Sequence, residues 1–450
     1  MSTGANGHFP IFRGFDNEHA FAGARTPDPG PSPMTVFAPA TAEDVREAVA
    51  WAAAEGAPLE VVGHGSKRGV GRPVAAAHTL DLSRLSGVAL YEPEELVLSA
   101  RAGTPLAEIE ALLAGHRQEL AFEPMDYGPL LGGEAGRGTL GGAVAANLSG
   151  PRRLKAGAAR DHILGVSAVS GRGEPFKAGG RVVKNVTGYD LSKGLAGSWG
   201  TLAVMTEIVV KVLPAAETET TLALRGLLDD QAATAMAAAL GSSGEVSAAA
   251  HLPEGVSGLL CGGALGHAPA TLLRLEGFGP SVGYRAGLLR SLFPGVDAVE
   301  IGPERSRAVW REIRDCMPFA DGTDKPVWRV SVAPSQGHLL ALALRMQAPA
   351  TVFYDWQGGL VWIRMEDGEP QAELLRALVA RCGTGHATLV RAASAVRAAV
   401  AVFEPQAAAL AALSARLKAQ FDPLGILNPG RMIAPAPSAR LAEPQPGEAP

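Results

Sequence analysis

The chain has 450 residues, 40 Lys plus Arg against 45 Asp plus Glu, and 47% apolar side chains. That is room for two or three domains around a sizeable core, with no basic excess that would favour a nucleic-acid partner. No apolar run nears the roughly 18–20 residues a bilayer requires, so no transmembrane segment is predicted. The first thirty residues hold charges, Pro and Gly rather than a signal-peptide core. Cys261, Cys316 and Cys382 are too far apart for a CxxC pattern, so neither a metal nor an iron–sulfur cluster is expected and a reducing cytoplasm fits.

Residues 1–33 end in Pro-Asp-Pro-Gly-Pro-Ser-Pro and read as a flexible arm carrying Phe9, Ile11, Phe12 and Phe15. Order is predicted to begin near Val36. Thr41 caps a helix with Asp44 three residues on, its buried stripe being Val45, Ala48, Val49 and Ala52. Gly56 and Pro58 end it, and a strand over 59–62 runs into a glycine loop. A strand over 96–100 precedes a helix opened by Thr104-Pro105. A strand over 201–212 closes a first unit before Pro214. In the second half, 218–224, 329–332, 351–356 and 361–365 read as strands, the last two joined as a hairpin through Gln357-Gly358-Gly359. Helical patterns over 231–240, 370–380 and 404–420 lie between and after them. The fold class is α+β. The boundaries predicted are 34–216, 217–403 as a cap domain with an antiparallel sheet, 404–433 as a terminal helix and closing segment, and 434–450 as a disordered tail.

Three glycine clusters stand out. Gly63-His-Gly-Ser-Lys-Arg-Gly69 follows a strand directly, so its N–H groups can form an anion nest, with Lys67 or Arg68 adding charge. It is neither a P-loop nor a GxGxxG turn. Gly136-Arg-Gly-Thr-Leu-Gly-Gly-Ala-Val-Ala-Ala-Asn-Leu-Ser-Gly150 is the richest, with Thr139 placed to cap a helix from Leu140 and leave N–H groups aimed outward. Gly194-Leu-Ala-Gly-Ser-Trp-Gly-Thr201 precedes a strand. Any one of them could be structural, and the first, taken alone, reads more readily as a tight glycine turn. Three within 140 residues favour a long, phosphate-bearing ligand.

The order GHGSK, EPxxYG (Glu123–Gly128), GTLGGAVAANLSG, RDHILG (Arg160–Gly165), KNVTGYDL (Lys184–Leu191), GSWGTLAVMTEI and finally FDPLGILNPGRM resembles the vanillyl-alcohol oxidase / p-cresol methylhydroxylase superfamily of FAD-binding proteins. Within it, GPRRLKAGAARDHILG with KVLPAAE most resembles the FAD-binding subunits of bacterial glycolate oxidases. The resemblance implies a two-subdomain p-cresol methylhydroxylase-type FAD-binding domain and a following cap. It places Gly63, His64, Gly65, Ser66 and Lys67 on a first pyrophosphate loop, and Thr139, Gly141, Gly142, Asn147 and Ser149 on a second flavin-contacting segment. Asp161, Val166, Gly197 and Thr201 fall where the family wraps the adenosine and pyrophosphate, and Asn428 and Arg431 near the isoalloxazine. Some members bond a histidine covalently to the flavin. Ser66 takes that place here, so the FAD is expected to be non-covalent.

Oxidising a 2-hydroxy acid requires a base for the hydroxyl proton and cations for the carboxylate. Hydroxy-acid dehydrogenases of the superfamily carry a metal-binding histidine pair and a Gly-Glu-His-Gly segment in their second half. This chain has only His251, His267, His338 and His386 there, no two close together. Tyr127 and His386 remain as candidate bases, and Arg329 and Arg364 as candidate carboxylate or interface groups. The resemblance thus implies a subunit that holds FAD and relays electrons in a complex with a homologous catalytic flavin subunit and an iron–sulfur subunit, cytoplasmic or peripheral at the inner membrane through that complex. A self-sufficient FAD-linked dehydrogenase and a structural subunit with weak FAD binding are the alternatives.

Overall fold

The computed structural model describes residues 35–181 and 189–434. The predicted arm, the Lys184–Gly188 part of KNVTGYDL and the predicted tail from residue 435 lie outside the described residues. Local signals act as read. The Thr41 Oγ1 accepts the Asp44 N–H at 3.1 Å and the Asp44 carboxylate accepts the Thr41 N–H at 3.0 Å. This closes a capping box on the helix Ala42–Glu55, which ends at Gly56 with φ 61°. Its buried Val45, Val49 and Ala52 pack on Leu59 and Leu80 of a parallel sheet in the order Thr35–Phe37, His78–Asp81, Leu59–Val62, and on Leu82 in the turn that follows.

The chain then builds a five-stranded antiparallel sheet: Val88–Glu92, Val97–Arg101, Ala203–Lys211, Ile163–Ser170, Pro175–Gly179. The second half forms an eight-stranded antiparallel sheet in the order Asp297–Ile301, Thr218–Arg225, Ala270–Gly277, Ala248–Leu252, Ala350–Asp355, Leu360–Met365, Val327–Val332, Gly385–Arg391. Helices Asp229–Leu240 and Gly279–Leu292 cover one end of its outer face, and Gly337–Arg345 and Ala372–Arg381 the other. Its inner face joins the first half. A single apolar cluster contains Ile109, Phe122 and Leu140 together with Leu272, Trp310, Phe353 and Trp362, so the two halves share a core.

The strands Ala248–Leu252, Ala270–Gly277 and Asp297–Ile301 and the helices Gly279–Leu292, Pro303–Arg314 and Gly337–Arg345 were not singled out in the sequence, and two of the predicted elements end or begin elsewhere for a local reason. The strand expected to reach Trp356 stops at Asp355, because Trp356, Gln357 and Gly358 take φ 51°, 63° and 91°. The last helix, expected from Glu404, is Ala408–Phe421. Pro405 disfavours helical backbone at Glu404, and the Glu404 carboxylate is engaged by Arg376 and by the Ala387 N–H. After that helix the chain returns to the first half. Leu59 N–H donates to Ile426 at 2.7 Å, Asn428 N–H donates to Leu59 at 2.9 Å, and Leu427 bridges Leu59 in parallel. The closing segment thereby becomes a neighbour of the strand that feeds the first glycine loop.

Candidate flavin site

The strand Leu59–Val62 delivers Gly63–Lys67 to the edge of the first half. Gly65 turns the loop at φ 74°, a conformation that carries no steric cost for glycine alone. Across from it, Thr139 caps the helix Leu140–Ala145 as predicted, its Oγ1 accepting the Gly142 N–H at 3.2 Å. The two pieces touch closely. A Cβ on Gly63 would lie 2.7 Å from Thr139 Oγ1, and one on Gly142 3.2 Å from Lys67 Nζ. Gly141 has a different reason: a Cβ there would meet the Ala102 carbonyl at 2.8 Å, so it serves strand–helix packing.

The closing segment supplies the third wall. Asn428, at φ 43°, accepts the Val61 N–H at 2.8 Å and donates to the Trp199 carbonyl at 2.8 Å. Arg431 donates to the Lys67 carbonyl at 2.6 Å and lies 5.6 Å over the Trp199 ring. One cavity is lined by Gly63, His64, Gly65, Ser66, Lys67, Thr139, Gly141, Gly142, Asn428 and Arg431. Trp199, Gly200, Ala102 and Met205 line it too and were not singled out as site residues. The signal for Trp199 was its place in GSWGTL, and its φ of 53° marks it further.

The remaining sequence candidates have other partners. Asn147 accepts the Arg160 N–H at 2.9 Å, Ser149 accepts Arg153 at 3.2 Å and Asp161 accepts the Ala158 N–H at 2.9 Å. Val166 is buried in the five-stranded sheet. Gly197 lies against Asn147, and Thr201 donates to the Ser198 carbonyl at 2.7 Å.

The electrostatics of the cavity ask for an anion. Burial pushes the Lys67 ammonium down to about 8 and the Arg431 guanidinium down to about 10. Neither forms an ion pair among the described residues; Lys67 Nζ meets only Ser66 Oγ, at 3.3 Å. His64 Nδ1 is buried without a hydrogen-bond partner among the described residues. The capped helix has only six residues, so these cations, not a macrodipole, supply most of the field.

The candidate bases lie elsewhere. Tyr127 is 6% exposed and burial raises its pKa, with Arg329 opposing. His386 opens the edge strand Gly385–Arg391 on the exposed rim, and desolvation with Arg329 close by lowers its pKa. Arg364 is paired with Asp321 at 2.9 Å and Glu366 at 2.8 Å, which makes it structural.

Residues 33–179 match the FAD binding domain family. The glycolate oxidase subunit GlcE of Escherichia coli K12 is 35% identical over 401 residues, covering 88% of this chain and 98% of that protein. The chain belongs to the GlcE family of glycolate oxidase subunits. It is therefore an FAD-dependent oxidoreductase by family, and its glycine-lined cavity falls on the flavin domain. A second relative, glycolate oxidase subunit GlcD of Bacillus subtilis, is 43% identical over 84 residues, 19% of this chain and 18% of that one. The structure of p-cresol methylhydroxylase with substrate bound superposes at a TM-score of 0.66 over 89% of this chain and 88% of that one, at 15% identity. The fold is thus the p-cresol methylhydroxylase type, as expected from the sequence. Among the described residues no helix is long and apolar enough to cross a membrane.

Proposed function

We propose that this chain holds FAD non-covalently and serves as a flavin subunit of a complex that oxidises glycolate or a related small D-2-hydroxy acid. A homologous flavin subunit would oxidise the acid and an iron–sulfur subunit would take the electrons. Bound FAD supplies redox capacity to this subunit. The observation that carries the reading is the pair of cations, Lys67 half-buried and Arg431 buried, that line one glycine-walled cavity with no carboxylate partner among the described residues. Leaving such charges unpaired is costly, and a diphosphate would neutralise both. The loop Gly63–Lys67, the Thr139-capped helix and the Asn428–Arg431 segment would hold that diphosphate.

The experiment is a visible spectrum of the purified chain followed by acid precipitation. A flavin spectrum whose colour passes wholly into the supernatant as FAD is expected. A yellow pellet would sink the non-covalent assignment. A colourless, folded chain whose melting temperature FAD does not raise would sink flavin binding, since a ligand at 100 times its Kd stabilises by about 2.7 kcal/mol.

A further inference from the structure

The inner face of the eight-stranded sheet carries a second set of cations, none of which lines the cavity that Lys67 and Arg431 share. In the strand Val327–Val332, Trp328 and Val330 point outward into the helix-covered core, so Arg329 and Ser331 face the first half. The register sets Arg329 opposite Thr388, and Ser331 opposite His386. From the first half come Tyr127 and Arg153. The guanidinium carbons of Arg153 and Arg329 lie 5.0 and 4.8 Å from the Trp356 ring centroid. Like charges gathered on one ring repel, and the aromatic face offsets only part of that.

Trp356 is held for this arrangement. It leads the left-handed run of Trp356, Gln357 and Gly358, a backbone conformation that bulky side chains rarely adopt. Its indole N–H donates to the Gly150 carbonyl at 3.0 Å and its backbone N–H to Asp355 Oδ1 at 2.7 Å. Asp355, the carboxylate whose field reaches Arg329, is thereby engaged and forms no ion pair with it. Among the described residues neither Arg153 nor Arg329 has a carboxylate partner; the Arg153 guanidinium bonds Ser149 Oγ alone, and the Arg329 guanidinium makes no hydrogen bond. The side chains of Tyr127, Ser331 and Thr388 likewise make none. Arg391, two strand positions beyond Thr388's neighbour Leu389, shows the contrast: Lys325, Leu130 and Phe319 carbonyls all accept from it. Unpaired guanidiniums beside unpaired hydroxyls, on a strained platform, mark a place built for something else.

We propose that Arg153 and Arg329, stacked on Trp356, form a carboxylate subsite, with Tyr127, Ser331 and Thr388 beside it to receive an adjacent hydroxyl or oxo group. The ligand class is a small 2-hydroxy or 2-oxo acid. This goes beyond a relay of electrons, because it gives this subunit an acid-binding site of its own. The planar guanidinium fork matches a carboxylate.

The test is isothermal titration of the full-length chain with oxalate, which has no 2-hydroxyl hydrogen to lose, and with ethylene glycol, which has no carboxylate. Flavin content is recorded on the same samples. Saturable one-to-one oxalate binding is expected, with none for ethylene glycol. Arg329→Met and Arg153→Met should each weaken oxalate at least tenfold at unchanged flavin content. Arg329→Lys, which keeps the charge and loses the fork, should fall between and guards against misfolding of the Met variants. Oxalate binding that is absent, or equal in all variants, overturns the proposal. A flavin-loaded chain that ignores oxalate leaves the proposed function standing without this site. A flavin-free chain that binds oxalate through Arg329 does the reverse.

Discussion

At the scale of single residues, Lys67 ties the flavin cavity to pH. Its pKa of about 8 lies below the ordinary 10.5 because burial disfavours the ammonium. Between those values the unfolded chain binds more protons than the folded one, so stability of the FAD-free chain rises with pH across that window. An anion docked against Lys67 favours the charged form again. FAD binding should therefore take up a proton between about pH 8 and 10.5, and weaken by up to about tenfold per pH unit above 8. Titration at pH 9 in two buffers of different ionisation heat measures the uptake directly, and equal heats would refute it. Lys67→Met should abolish the uptake and, by removing a charge-assisted contact of roughly 1.5–3 kcal/mol, weaken FAD about tenfold to a hundredfold. The loop bearing Lys67 was legible in the sequence because strand, glycines and charge lie within ten residues. Asn428 and Arg431 were legible only through the family resemblance, since no local pattern places residue 431 beside residue 67. The candidates with other partners lie off this cavity's walls for a related reason: Asn147, Ser149 and Asp161 look like ligand groups in sequence, yet each satisfies a backbone or side-chain donor nearby.

At the scale of elements, one carboxylate binds four of them. Asp229 begins the helix Asp229–Leu240. Its Oδ1 is 3.3 Å from His251 Nε2, and its Oδ2 accepts the Tyr354 hydroxyl at 2.6 Å and Arg345 at 2.9 Å. The other His251 nitrogen lies 3.0 Å from Thr271 Oγ1. Burial works to raise the Asp229 pKa, but the hydrogen bonds from His251 and Tyr354 outweigh it and bring the group to about 2. A depressed carboxyl contributes its full stability above its unfolded value of 3.8 and loses it as the pH falls through about 2. Asp229→Asn should lower the urea midpoint at pH 7 with an unchanged m-value, corresponding to roughly 1–3 kcal/mol. The gap between variant and parent should close between pH 4 and pH 2. A gap constant over that range would mean that the charge does not matter. The helix Asp229–Leu240 and the strand Ala350–Asp355 were legible from their apolar period, whereas the strand Ala248–Leu252 and the helix Gly337–Arg345 were not singled out in the sequence. Their meeting was not legible either: His251 finds Tyr354 only through the pairing of strands about a hundred residues apart.

At the scale of the whole molecule, the two halves are joined by a buried charge cluster as well as by a common apolar core. Arg152 of the first half meets Glu119 at 2.5 Å, Glu123 at 3.0 Å and Glu276 at 3.3 Å. Arg274 of the second half meets Glu123 at 2.6 Å, Glu219 at 2.9 Å and Glu276 at 3.2 Å. Four carboxylates thus face two guanidiniums, with the half-exposed Arg307 3.8 Å from Glu219. The carboxylates are not equivalent. Burial would raise Glu123, but Arg152 and Arg274 hold it below the usual carboxylate range. Burial does raise Glu276, whose contacts with the same arginines are longer. Glu123→Gln therefore removes a charge that both guanidiniums share in a desolvated seam, the closest partner of Arg274 among them, and should cost about 3–5 kcal/mol. Glu276→Gln removes the charge that is least well compensated and should cost less than about 1 kcal/mol, or stabilise. Because the halves share one core, tryptophan fluorescence and far-ultraviolet circular dichroism should report the same single transition in urea for both variants, shifted only for Glu123→Gln. Equal costs for the two substitutions would show that the cluster acts by net charge rather than by geometry. Two separated transitions in Glu123→Gln would show that the cluster, and not the apolar core, is what makes the halves unfold together.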